Sequence, residues 1–82
     1  GIAGSTKTGR HVILGAKAGV AGHLKLEDGV RIAALAGVSK SLPKGDYNGI
    51  PAQPIAEYNR NAVYLRNIGK YIELIKKIRL DQ

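Results

Sequence analysis

The chain has 82 residues and sets 13 Lys and Arg against 6 Asp and Glu, a formal charge of +7. It contains no Cys, Met, Phe or Trp; disulfides and thiolate metal sites are therefore excluded, and any core must be built from Ile, Val, Leu, Ala and the 4 tyrosines. A chain this short forms one domain at most and buries only about 60–65% of its unfolded surface, so further chain or a partner subunit is expected to complete it.

The longest mostly apolar run, VRIAALAGV, is far below the ~20 residues that cross a bilayer, and no signal-peptide pattern opens the sequence. An opening Gly in place of Met reads as a processed chain or a fragment, expected to be cytoplasmic. The positive charge favours an acidic partner. Nucleic acid is disfavoured, because the tyrosines lack the aromatic–basic interleaving of a base-stacking platform. An acidic protein fits better.

From Ile2 the sequence repeats every six residues. One column reads Ile2, Thr8, Leu14, Val20, Leu26, Ile32 and Val38, and the column after it is nearly all small: Ala3, Gly9, Gly15, Ala21, Glu27, Ala33 and Ser39. A further column reads Thr6, Val12, Ala18, Leu24, Val30, Ala36 and Leu42. Neither the 3.6-residue period of a helix nor the two-residue period of a simple strand produces this pattern. It is the hexapeptide signature of a parallel β-helix. Each hexad supplies a short strand with its aliphatic residue inward, and the small residue that follows is expected to let the chain turn. Three hexads close one coil, so residues eighteen apart should stack at the ~4.8 Å interstrand spacing. Residues 1–42 are thus read as coils, little more than two of them, and the terminal coils of so short a solenoid expose unpaired edges.

After Leu42 the repeat stops. PKGDYNGIPAQP holds all 3 prolines, and residues 43–53 are expected to form a loop closing the coil. From Pro54 the period becomes helical. Pro54 suits a first turn, and Ile55, Tyr58, Ala62, Leu65, Ile68, Ile72 and Ile75 recur at three- and four-residue steps. Residues 54–82 are read as one amphipathic helix, with a seam of Leu65, Ile68, Ile72 and Ile75 widened by Ile78. Gly69 weakens it by about 1 kcal/mol relative to Ala, which makes it the expected place for a kink. A lone helix with one apolar stripe needs a partner: either it folds back on the coils or it meets copies of itself.

The run GIAGSTKTGRHVILGAKAGVAGHLKLEDGV, then AGVSKSLPKGDYNGIPAQP, then the C-terminal helix together resemble the C-terminal part of UDP-3-O-acylglucosamine N-acyltransferases. The AGS and GH segments eighteen residues apart are the more specific features. The resemblance implies a mainly β fold with C-terminal α structure, a left-handed parallel β-helix in a homotrimer. It implies transfer of a 3-hydroxyacyl chain from acyl carrier protein to the 2-amino group of UDP-3-O-acylglucosamine, in the lipid A pathway of Gram-negative bacteria. No metal or dissociable cofactor is implied, the phosphopantetheine arriving on the carrier. The family's general-base histidine precedes its AGS segment and so falls before Gly1, and this segment alone is therefore expected to be inactive. The alternatives are a non-catalytic trimerisation or capping module, and a hexapeptide acetyltransferase using acetyl-CoA.

By the stacking rule His23 lies above Ser5, with Ser41 one coil further on. The resemblance assigns the Gly4 N–H as oxyanion donor and His23 as a polar group that assists or orients. The alternative for His23 is a solvated turn residue. His11, twelve residues earlier, belongs to another face, and a zinc site of the hexapeptide kind needs three ligands where only 2 histidines exist. Glu27 and Asp28, being adjacent, point apart and read as a solvated corner. Ala34, Ala36 and Gly37 are small residues along which an acyl chain is expected to lie. Lys40 matches a basic position near the family's carrier mouth. With Arg60 and Arg66, and with Lys70, Lys76, Lys77 and Arg79 beyond them, it is expected to form a basic collar, opposed on the helix only by Glu57, Glu73 and Asp81.

Overall fold

The computed structural model describes residues 1–80; Asp81, one of the acidic positions named for the helix, lies outside them. The chain visits three β walls in turn. The first wall holds Ile2, β3 (Gly19–Val20) and β6 (Gly37–Val38). The second holds β1 (Lys7–Thr8), β4 (Lys25–Leu26) and Leu42. The third holds β2 (Ile13–Leu14), β5 (Val30–Ile32), β7 (Gly45–Asn48) and β8 (Gln53–Pro54).

The six-residue columns become walls because their side chains have nowhere else to bury. Lys7 pairs with Lys25, Ile13 with Arg31 and Gly19 with Gly37, all parallel and all eighteen residues apart. Val20, Leu26, Ile32 and Val38 of the aliphatic column are buried, as are Ala18, Val30, Ala36 and Leu42 of the second apolar column. Val12, Leu14 and Leu24 pack partly buried against them, and Tyr47 and Ala52 complete the cluster. Ile13 belongs to neither column, and it is 57% exposed.

The small column does not mark the turns. Each coil turns two residues later, where Ser5, His11, Lys17, His23, Gly29 and Leu35 all have φ between +58° and +75°. This left-handed conformation disfavours a Cβ by about 1–2 kcal/mol, yet only one of the six is glycine. The requirement comes from the corner itself, which must redirect the chain from one wall to the next. The small column has another cause, contact between coils: a Cβ on Gly15 would stand 2.7 Å from Ala34 Cα. Gly15→Ala should therefore lower the thermal midpoint of a protein carrying these coils, by the equivalent of about 1–3 kcal/mol of overpacking. Gly19→Ala, at a position where an added Cβ meets nothing within 4 Å, serves as the comparison. Equal midpoints for the two variants would show that the coils are not in contact at Gly15.

The eighteen-residue register ends in the last coil. Leu26 bridges Leu42, sixteen residues on, and Ile32 pairs with Tyr47, fifteen on. Ser41 consequently faces Lys25, whose N–H donates to Ser41 Oγ (2.9 Å), and it does not stack over His23 as even spacing required. Within 43–53, expected as a loop, β7 continues the third wall and pairs antiparallel with β8. The Tyr47 hydroxyl, donating to Pro43 O (2.7 Å), ties this hairpin to the segment that enters it.

The single helix expected from Pro54 is divided into α1 (Ile55–Arg66) and α2 (Ile68–Leu80). Pro54 caps α1 from outside, with φ −51° and ψ 139°. The interruption falls at Asn67 and not at Gly69. Asn67 Nδ2–H donates to Val63 O (2.9 Å), and a side chain competing with the backbone for a carbonyl favours a cap over a helix interior. The main contacts of α1 are with β7 and β8, and those of α2 are with α1. Leu65, Ile68, Ile72, Ile75 and Ile78 are all exposed, so the seam does not fold back on the coils. Among the described residues no helix is long and apolar enough to cross a membrane.

Candidate functional site

The corner between the first and second walls gathers three of the residues singled out for chemistry, Gly4, His23 and Lys40. Gly4–Ser5, Gly22–His23 and Ser39–Lys40 follow one another there in successive coils, since the chain passes this corner once after Ile2, once after Val20 and once after Val38. His23 is exposed, with φ +62°, and the eighteen-residue register places it over Ser5 as expected. Gly4 is exposed too, and an added Cβ there would meet nothing within 4 Å. Its carbonyl lies against Gly22, where a Cβ would stand 2.9 Å from Gly4 O. Thr6 secures the turn from the side: its hydroxyl donates to Ala21 O (2.6 Å) and accepts the Leu24 N–H (3.3 Å).

His11 stands at the next corner, between the second and third walls, also exposed and left-handed with φ +59°. The two histidines therefore serve different edges of the coil. Among the described residues no three His, Asp or Glu side chains gather as metal ligands would. Asp28, expected to be merely solvated, is exposed but employed: its Oδ1 accepts the Arg10 N–H (2.7 Å) from the coil before.

The three residues proposed to line an acyl groove do not share a surface. Ala36 is 2% exposed and points into the core, which removes it from any groove. Gly37 lies on the outward side of β6 beneath Ile50, whose Cγ2 would be 3.2 Å from an added Cβ. Ala34 sits at the third corner, exposed.

Lys40 lines a cavity of about 580 Å³ with Ser39, Leu42, Tyr47, Pro54 and Glu57 among others. Leu42, Tyr47 and Ala52 of its lining are core side chains, and Glu57 contributes the first turn of α1. Arg60 and Arg66 are exposed further along α1 and do not line the cavity. This cavity was not legible in the sequence, because it depends on the shortened last coil and on where the β7–β8 hairpin delivers the helix. On the third wall Arg31 and Asp46 make a bidentate ion pair, both contacts 2.6 Å. The hydrogen bond to Asp46 raises the Arg31 pKa, and the same bond holds the Asp46 carboxyl below its ordinary value.

No family model matches the chain. Curated relatives do. The chain is 46% identical over 66 residues to a UDP-3-O-acylglucosamine N-acyltransferase of Caulobacter sp. (strain K31), covering 79% of this chain and 19% of that protein. It is 43% identical over 74 residues to the enzyme of the same name from Campylobacter concisus (strain 13826), covering 89% and 23%. With that of Albidiferax ferrireducens it is 40% identical over 80 residues, covering 95% and 24%. The chain thus spans 19–24% of the length of these relatives.

Proposed function

Since the chain resembles part of the UDP-3-O-acylglucosamine N-acyltransferases along most of its length, we propose that it is the C-terminal segment of such an enzyme. The whole protein would move a 3-hydroxyacyl chain from acyl carrier protein to the 2-amino group of UDP-3-O-acylglucosamine, in the cytoplasm. The coils would be the end of a left-handed parallel β-helix in a homotrimer. The similarity carries this reading. The geometry supports it by placing Gly4, His23 and Lys40 along one corner.

The chemistry asks for few groups. The amine nitrogen adds to the thioester carbonyl carbon, and its proton passes to a base outside this segment. The carbonyl electrons move onto oxygen, and the resulting oxyanion is held by donors such as the Gly4 N–H; donors aimed at that oxygen stabilise it by about 3–4 kcal/mol each. The oxyanion then re-forms the carbonyl, the C–S bond breaks, and the carrier leaves as its thiol. An exposed imidazole at His23, one coil from Gly4, is suited to orient the phosphopantetheine or the amine. The test is direct. Full-length protein given acyl-carrier thioester and the UDP-sugar should yield the 2-N-acyl product and free carrier thiol, and no product from that pair overturns the proposal.

Lys40 is the residue proposed to meet the acidic carrier, with Arg60 and Arg66 extending the positive surface along α1. Charge of this kind raises association rates more than intrinsic affinity, and salt screens it within a Debye length of about 8 Å at physiological ionic strength. Lys40→Glu, or paired charge reversal at Arg60 and Arg66, should weaken acyl-carrier use while sparing the KM of the UDP-sugar. A carrier-dependent rate indifferent to salt and to these substitutions would eliminate the docking role.

A further inference from the structure

The three corners of the coil are closed by different means, and the exception is the corner that carries Gly4 and His23. At the second corner the Gly29 N–H donates to Arg10 O (2.8 Å), and at the third the Leu35 N–H donates to Ala16 O (2.9 Å). Each bond runs from a left-handed residue to the carbonyl nineteen residues earlier. The equivalent bond at the first corner would join the His23 N–H to Gly4 O. It is not made: among the described residues the His23 N–H has no protein acceptor, and neither has the Gly4 N–H.

The neighbouring residues account for the difference. Gly4 O lies against Gly22, so close that a Cβ added to Gly22 would stand 2.9 Å from it and force a shift. The stacked pairs at the other two corners carry side chains, Arg10 with Asp28 and Ala16 with Ala34. Without the backbone clasp, the corner is held from its flanks. The Thr6 hydroxyl bonds Ala21 O and the Leu24 N–H, the residues on either side of Gly22–His23. The equivalent positions at the other corners are Val12 and Ala18, which have no such group. Thr6 thus replaces the clasp while leaving the His23 N–H uncommitted on an exposed residue.

A fixed backbone donor beside a second one is the arrangement that stabilises charge developing on a carbonyl oxygen, because it needs no reorganisation during the reaction. We infer that the His23 backbone N–H, distinct from its imidazole, is a binding donor for the thioester carbonyl oxygen at this corner, acting beside the Gly4 N–H. This rests on the acyltransfer proposed above. The N–H donates a hydrogen bond throughout and transfers no proton; the amine's proton still goes to the base, and the leaving thiol takes one back.

The test replaces residue 23 of the full-length enzyme with the α-hydroxy acid bearing the same imidazole side chain, which turns one amide into an ester. The expected result is a fall in kcat of about a hundredfold with an unchanged thermal midpoint. The same exchange at residue 29, where the N–H is a structural clasp, should lower the midpoint and spare kcat. Amide hydrogen exchange adds a readout independent of turnover: the His23 N–H should exchange at least about tenfold faster than those of Gly29 and Leu35, since it lacks their acceptors. An active wild type whose residue-23 ester is equally active, or a His23 amide as protected as that of Gly29, overturns the inference alone. A wild type without N-acyltransfer overturns the acyltransfer reading and the inference with it.

Discussion

Leu26→Ala is expected to lower stability by about 2–5 kcal/mol, the range for emptying a fully buried leucine site. Leu26 is 0% exposed and sits in the middle coil, with Thr8 beside it in one neighbouring coil and Leu42 in the other. A cavity there removes contacts on both sides at once. In a solenoid, stability is close to a sum of terms between nearest neighbours, so weakening the middle coil also releases the coils on either side. The informative comparison is Ile13→Ala. Ile13 is as large and apolar as Leu26 but lies 57% exposed on the outward side of β2, and its truncation should fall within about 0.5 kcal/mol of wild type. Thermal and urea unfolding of the full-length protein measure both. Similar losses for the two would mean that the aliphatic column is not the inner face of the coil.

His23→Ala should lower turnover about a hundredfold, the lower end of what a positioned acid–base group supplies. Stability should change little, because the side chain is exposed. His23→Asn refines the test, since Asn tolerates this conformation well: the backbone is kept and the imidazole lost, so turnover should fall as for Ala. His11→Ala provides the contrast, with the same exposure and nearly the same φ at a corner where Gly4 has no counterpart. It should leave kcat and KM unaltered. Equal kinetics for the His23 variants and wild type would make His23 a solvated turn residue and nothing more.

By itself the sequence determined the walls and what faces inward, because burial selects residue type and a six-residue period matches neither a helix nor a simple strand. The aliphatic column from Val20 to Val38 and the second column at Ala18, Val30, Ala36 and Leu42 are the core. Ala36 stood in that inward column from the start, so its place in a groove contradicted the same periodicity that identified the coil. Even register sufficed to bring His23 over Ser5.

Tertiary structure alone decided the corners and the end of the coil. The left-handed positions hold Ser, His, Lys, His, Gly and Leu, which share no chemistry; the wall-to-wall turn imposes their backbone, and composition carries no trace of it. The hydrogen-bond clasp closed at two corners and open at the third depends on distances between coils. Loss of the eighteen-residue register after Val38 moved Ser41 to Lys25, left Lys40 at the His23 corner, and opened the cavity against α1. Helix propensity pointed to Gly69 as the weak place, but the break lies at Asn67, where a side-chain amide reaches the Val63 carbonyl. Residue type reports what must be buried; how adjacent coils meet is a property of the folded stack.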